Sequence, residues 1–306
     1  MMGAAQHLPA AKTKYSRKLL WTGILFILPA LLYFVLIYWY PLLEAFRMSF
    51  QEVLPGLKLR FAGLDTYREV FGDSAFWRSF ANTMYFTAIA VVGTVGLALV
   101  ISIGLSGVHY RTTQNVLTMV FLIPTLVSFA AAGLIWDWIL HPRFGLANQI
   151  LQFIGFQTLP KFLQSETQVI PSVALIHAWV RVGFSVIILL AGLQAIPQTY
   201  FDAARVDGTR GLQLYRHITI PLLLPHIGAV TLLEVIFSLK VFDEIYITTQ
   251  GGPNGASNVI MLYLYNNAFR FYRPDKGAVA AVTIFVVLLV FSILQRKMLA
   301  GRRYEY

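Results

Sequence analysis

The sequence predicts an all-α, polytopic membrane helical bundle with six transmembrane helices. Three observations support that fold. Of the 306 residues, 57% are hydrophobic and only 12% charged, about half the charge of a soluble domain. Six apolar runs each approach the roughly 20 residues needed to cross a bilayer core, at about 19–40, 83–105, 116–140, 169–193, 222–241 and 277–294. The basic residues also alternate from segment to segment. With the N-terminus inside, the inner segments hold twelve basic and three acidic residues, while the longer outer loops hold ten and nine. Short basic segments on one side are the positive-inside pattern, which puts both the N- and C-termini in the cytoplasm. The net charge of +10 is therefore a topology signal and not a nucleic-acid surface. The chain has no cysteine, which excludes disulfides, thiolate metal sites and a cysteine nucleophile.

Residues 1–18 read as a cytoplasmic basic tail and 19–306 as one transmembrane domain. The first run follows Lys12, Lys14, Arg17 and Lys18, the charge layout of a signal sequence. It is too long for one and lacks a small-residue cleavage pattern, so it reads as a retained first helix. The outer loop 41–82 is mixed in charge. Gly93, Gly96 and Gly104 in the second run suit close helix packing. The third run is continuous to Leu140 and carries Trp136-Asp137-Trp138 near its outer end. Pro142, Gly145, Gly155 and Pro160 give the next outer loop turns and short interfacial helices. The fourth run contains His177 and Arg181, and the fifth contains Glu234 and Lys240. The last outer loop, 242–276, carries Gly251-Gly252-Pro253-Asn254-Gly255, a strong turn signal. Its aromatic group Tyr263, Tyr265, Phe269, Phe271 and Tyr272 fits a belt at a membrane interface.

The inner loop at about 194–221 is the most informative polar stretch. It contains Asp202-Ala203-Ala204-Arg205-Val206-Asp207-Gly208 and then Ile218-Thr219-Ile220-Pro221. Pro197 can open a short helix that runs through Val206, and Gly208 is placed to end it in a left-handed conformation. Thr209 is the expected cap of a second short helix bearing Leu212, Leu214, Tyr215 and Ile218, with Pro221 marking entry to the fifth run. Ala203 and Ala204 are small enough for another backbone to approach, Asp202 suits the start of a helix, and Gly208 permits a sharp reversal. A surface hairpin with no partner accounts for these residues equally well.

The spacing decides between the two. The loop resembles the EAA motif of permease subunits of binding-protein-dependent ABC importers, which reads Glu-Ala-Ala, three residues, Gly, nine residues, Ile-x-Leu-Pro. Asp202-Ala203-Ala204, Gly208, Ile218, Ile220 and Pro221 keep every interval, with Asp202 in place of Glu and Ile220 in place of Leu. Asp207-Gly208, Thr248-Thr249-Gln250-Gly251-Gly252-Pro253, and Leu28-Pro29-Ala30 with Tyr40-Pro41 resemble the carbohydrate-type, maltose-permease-like branch. The resemblance implies a type I ABC importer permease fold in a prokaryotic cytoplasmic membrane. It implies that Asp202, Ala203, Ala204, Asp207, Gly208, Ile218 and Pro221 meet a cytoplasmic ATPase. The implied partners are a second permease, usually a different chain, two ATPase subunits carrying ATP and Mg, and an external solute-binding protein. The chain has no Gly-x-x-x-x-Gly-Lys-Ser/Thr loop to cradle phosphates. It is therefore expected to bind no cofactor and to catalyse nothing by itself.

Ionisable groups at membrane depth usually face the bundle interior or a water-filled path. On that ground Trp136, Asp137, Arg181 and Glu234 are candidates to line a carbohydrate path. A structural interhelical pair explains Arg181 and Glu234 equally well, a headgroup location explains Asp137 and Lys240, and His177 reads as a hydrogen-bonded structural histidine. The expected function is half of the translocation pathway of a sugar importer, with a polyol or glycerol phosphate as the alternative solute. A secondary transporter or channel calls for buried coupling carboxylates or a pore-lining repeat. A membrane-embedded enzyme calls for a convergent catalytic cluster. The sequence displays neither a repeat nor such a cluster.

Overall fold

Two prolines and one bend organise the long helices. The computed structural model describes residues 17–300 except 55, 57, 207 and 210, so Asp207 lies outside the described residues. In chain order the elements are α1 (Arg17–Phe34), α2 (Tyr40–Ser49), β1 (Gln51–Leu54), β2 (Lys58–Phe61), α3 (Asp65–Gly72), α4 (Ser74–Ser106), α5 (Arg111–Leu122) and α6 (Phe129–Ile139). There follow α7 (Leu146–Phe153), α8 (Val169–Ala195), α9 (Gln198–Val206), α10 (Leu212–Leu214), α11 (Ile220–Leu239), α12 (Asp243–Thr248), α13 (Ile260–Tyr265) and α14 (Pro274–Ala300). Among the described residues five helices are long and apolar enough to cross a membrane, and a sixth span is completed if α5 and α6 count as one.

Wider π turns join α1 to α2 at Val35–Trp39 and α10 to α11 at Tyr215–Thr219. Pro41 and Pro221 cannot donate an N–H and would clash with the carbonyl four residues back. In the wider turn the Tyr40 N–H reaches Val35 O and the Ile220 N–H reaches Tyr215 O, so each helix runs through its proline. The sequence expectation is corrected at both places. The first helix continues to Ser49, past the expected end at Tyr40. The second inner-loop helix is not separate but forms one 28-residue helix with the fifth span, Leu212–Leu239. Gly211, at φ +57° and not Thr209, occupies its N-cap.

The third apolar run is also corrected, because it is not one helix. A 3₁₀ turn at Ile123–Leu126 contains Pro124, and the chain then bends by 97° into α6. Ser128 Oγ caps α6 by accepting from the Ala131 N–H at 3.3 Å, which satisfies a donor that the break exposes.

The described chain forms two units, one ending at Arg47 and the other starting at Met48. Within the second unit α8 is the axis. It is largely apolar and buried along most of its length, as expected of a helix enclosed by others. It packs against α4, α5, α6 and α11. Between helices in lipid the hydrophobic drive is weak, and close backbone approach matters more. A Cβ on Gly183 would lie 2.0 Å from the Phe121 carbonyl oxygen, and one on Gly192 would lie 2.5 Å from the His226 ring. The close packing expected at Gly93, Gly96 and Gly104 is not found there, since a Cβ on any of them meets nothing within 4 Å.

At the end of the bundle away from Gly208, β1 and β2 pair antiparallel with Gln51 opposite Phe61. A clamp ties this hairpin to α3 and α14. Asp275, fully buried, accepts from Arg273 Nη2 at 2.8 Å and from the Val53 N–H at 3.3 Å. Arg273 also bonds Glu69 at 2.7 Å, as does Lys276. Burial pushes the Glu69 carboxyl up, but the hydrogen bonds from Arg273 and Lys276 outweigh it and hold the group below its usual range. The Tyr263 hydroxyl donates to Asp73 Oδ2 at 2.9 Å. Tyr263 is 4% exposed, so it belongs to the core and not to an aromatic belt.

Arg273→Ala leaves the Asp275 carboxylate buried without its cation. The expected cost is about 3 kcal/mol, the low end for a broken buried pair, because Arg273 is itself 28% exposed. Thermal unfolding of the purified protein reads it. The stabilisation carried by Glu69 is present above the ordinary carboxylate range and is lost as pH falls through its lowered pKa. The acid-side drop in unfolding temperature should therefore shrink in the same variant.

Candidate functional site

The inner-loop turn is built by local hydrogen bonds. The Gly208 N–H donates to Arg205 O at 3.1 Å and the Thr209 N–H to Ala204 O at 2.9 Å, the paired bonds of a Schellman end to α9. Gly208 sits at φ +78°, a conformation that costs residues with a Cβ. Asp202 is exposed and pairs with Arg205 at 3.0 Å. Ala203 is exposed, while Ala204 is buried. Ile218 and Phe201 pack against the apolar core formed around Leu189 and Leu223. Pro221 lies in the first turn of α11 and is half-buried. One face of the loop is thus anchored, and Asp202, Ala203 and Gly208 remain on the surface.

A second cluster lies at the other end of α11. On α8, His177, Arg181 and Ser185 recur every four residues and so share one face. Glu234 of α11 meets that face. Its Oε1 accepts from Arg181 Nη2 at 3.2 Å and from Ser185 Oγ at 3.0 Å. His177 Nδ1 lies 2.8 Å from Glu244 Oε1 of α12. His177 Nε2 and Glu234 Oε2 stand 3.6 Å apart, beyond hydrogen-bond reach. Those two atoms and Arg181 Nε are buried without a hydrogen-bond partner. The Arg181 guanidinium lies 3.7 Å from the Phe237 ring centroid and 5.3 Å from that of Phe184, a cation–π arrangement. Buried polar atoms left open in this way can accept a water or a hydroxyl-bearing solute.

Beside the cluster is a cavity of about 220 Å³ lined by Phe129, His177, Phe237, Lys240, Phe242 and Glu244, among others. The expected Arg181–Glu234 pair is present, and His177 is hydrogen-bonded as anticipated. Asp137 and Trp136 are not brought to this cluster. Asp137 is half-buried on α6. Trp136 packs edge-on against Trp179 at 5.8 Å and borders a separate apolar cavity of about 350 Å³. Sequence reasoning missed Ser185 and Glu244. The four-residue polar stripe on α8 was a usable signal for Ser185. Glu244 sits 67 residues from His177 on an element outside the spans, and nothing in the local sequence joins the two.

The family described as the inner membrane component of binding-protein-dependent transport systems matches residues 94–302. The chain is 32% identical over 301 residues to the trehalose/maltose transport system permease of Thermococcus litoralis, covering 96% of this chain and 98% of that one. It is 31% identical over 271 residues to the sulfoquinovosyl glycerol transport system permease of Agrobacterium fabrum, covering 87% and 86%. A crystal structure of a bacterial ABC transporter involved in import of the acidic polysaccharide alginate superimposes with a TM-score of 0.79 at 22% identity, covering 91% of this chain and 97% of that one. At that identity the superposition shows the shared type I permease fold.

Proposed function

The chain belongs to the family of inner membrane components of binding-protein-dependent transport systems, and from that membership we propose that it is one permease subunit of an ATP-driven sugar importer, forming half of the translocation pathway. The sugar assignment draws on relatives named for trehalose, maltose and a sulfoquinovosyl glycoside. The observation that carries the mechanism is the continuity of Leu212–Leu239. A single helix starts beside the Gly208 turn and carries Glu234 near its far end. A partner that pulls on the turn therefore has a rigid connection to the polar cluster, the kind of element that converts a local shift into a switch between two states.

In this reading the termini are cytoplasmic, and Asp202, Ala203, Ala204, Asp207, Gly208, Ile218 and Pro221 form the contact with an ATPase subunit. Two such subunits carry ATP and Mg, a second and different permease chain completes the pathway, and an external binding protein delivers the solute. The solute passes Arg181, His177 and Glu234, whose unfilled hydrogen-bonding atoms suit hydroxyl groups, and Glu244 beside them. The rings of Phe184 and Phe237 provide apolar faces beside them.

The test is reconstitution of the chain with its partner subunits in proteoliposomes, followed by ATP hydrolysis as sugars and the binding protein are added. Stimulation by a sugar is expected. Stimulation by a polyol or glycerol phosphate alone would move the solute assignment to that alternative. Solute accumulation by the lone chain without any ATPase would end the reading in favour of a secondary transporter or channel.

A further inference from the structure

His177 sits between two carboxylates that come from different helices. Its Nδ1 lies 2.8 Å from Glu244 Oε1 of α12, and its Nε2 faces Glu234 Oε2 of α11 at 3.6 Å. The three side chains are only 1–3% exposed. The other walls of the imidazole are uncharged. Phe129 of α6 stacks on it with planes 9° apart and Phe86 of α4 meets it edge-on, both with centroids at 5.5 Å. On α8 itself, Arg181 bonds the second oxygen of Glu234 at 3.2 Å. Lys240 and Asp243 line the neighbouring cavity, where both are exposed and opposite in charge.

Hydrogen bonding fixes the number of protons the ring needs. A neutral imidazole has one N–H and one bare nitrogen. With its proton on Nδ1, the Glu244 contact is a hydrogen bond, but two lone pairs face each other at Glu234. With its proton on Nε2, a bare nitrogen stands 2.8 Å from the Glu244 oxygen. Either tautomer satisfies one carboxylate and repels the other, whereas an imidazolium donates to both. Charge leads to the same species. Glu234 and Glu244 bring two negative charges and Arg181 one positive. A neutral ring would leave one buried charge without a counter-charge, which is costly. A cation on His177 balances the cluster, and the Phe129 face against it favours a cation.

We infer that His177 binds a proton as an imidazolium bridging Glu234 and Glu244, and that it is the positioning residue that fastens α11 to α12 across α8. This rests on the permease reading and gives it a release step. A solute hydroxyl can accept from His177 Nε2 and donate to Glu234 Oε2. Its arrival takes the place of the contact by which His177 holds α11, while Glu244 stays bonded. The long helix Leu212–Leu239 then loses this tie to α12 at the end opposite the Gly208 turn.

The experiment uses the complete importer with its partner subunits and binding protein in nanodiscs, with nitrogen-15 histidine in this chain. Nitrogen NMR separates an imidazolium from either neutral tautomer, and the difference between the wild type and His177→Gln isolates this ring. At about pH 7 the wild type is expected to show His177 as imidazolium. Glu244→Gln, in which the charge balance no longer calls for a cation, should show it neutral. A neutral ring in the wild type overturns the proposal, as does an imidazolium that persists in Glu244→Gln. Should His177→Gln fail to assemble, the signal that changes in Glu244→Gln identifies the same ring. In proteoliposomes, uptake per ATP hydrolysed should fall roughly tenfold in His177→Gln. The double variant with Glu244→Gln should fall no further, since both changes undo one fastening. Losses that add, or unchanged coupling in His177→Gln, overturn the positioning role. Failure of the sugar reading appears separately, as a wild type that accumulates none of the trehalose, maltose or maltodextrin offered, and the nitrogen signal decides the bound proton in that case too.

Discussion

Glu234→Gln is expected to leave the bundle assembled while lowering solute uptake by roughly tenfold to a hundredfold. The glutamine keeps the size of the side chain and an acceptor for Arg181 and Ser185, which Glu234 bonds at 3.2 and 3.0 Å. It loses the charge. A hydrogen bond to a charged group contributes about 1.5–3 kcal/mol, and each 1.4 kcal/mol is about a factor of ten. Glu234→Ala is the harsher change. It strands a buried guanidinium between the Phe237 and Phe184 rings, and breaking a buried ion pair from one side costs on the order of 3–5 kcal/mol. The alanine variant should therefore unfold at the lowest temperature, and the glutamine variant, which keeps the hydrogen bonds but not the counter-charge of Arg181, between it and the wild type. Thermal unfolding of the purified complex and sugar-stimulated ATP turnover separate the two effects. Wild-type uptake by Glu234→Gln in a stable complex would make Glu234 a structural partner of Arg181 and nothing more.

The second large effect is expected at the inner turn. Gly208→Trp should retain the folded bundle but reduce ATPase attachment by at least about tenfold and abolish uptake. Two features of the turn separate the causes. A Cβ at Gly208 meets no atom within 4 Å, so the indole has room within this chain. The backbone at φ +78° disfavours any L residue by about 1–2 kcal/mol, a cost alanine also bears. Gly208→Ala therefore reports the backbone strain, and the further loss in Gly208→Trp reports the bulk set against a partner. Co-purification of the ATPase with each variant measures attachment directly. If both variants bind the ATPase and couple hydrolysis to transport as the wild type does, the turn is not where the motor grips.

Much of the architecture was legible because membrane constraints are local. An apolar run must be near bilayer length and a loop must carry its charge on one side. These conditions located the five long helices, the polar loop between the fourth and fifth runs and the turn at Gly208, where the positive φ favours a residue without a Cβ. The short helices expected in 141–168 are present as α7 and a 3₁₀ turn at Phe162–Gln164. The polar stripe His177, Arg181 and Ser185 was in plain view, since a period near four is set by the helix itself.

What the sequence left open depended on contacts between distant segments or on backbone choices that hydropathy does not register. Apolar content looks the same in a straight helix and in one bent by 97° after Pro124. A proline before a span reads as a boundary, yet the π turn at Tyr215–Thr219 lets the helix pass and ties the inner loop to Glu234. Close approach fell to Gly183 and Gly192, not to the glycines of α4, because only the packed bundle determines which helix face meets a neighbour. Glu244 joined His177 for the same reason. By itself the sequence determined which segments are apolar and long enough to cross a membrane and where the polar loop turns, since both follow from the energetics of a few neighbouring residues in lipid or water. The tertiary structure alone decided which buried polar groups and rings meet, since in a low-dielectric interior each takes its partners from whatever the folded helices bring within reach.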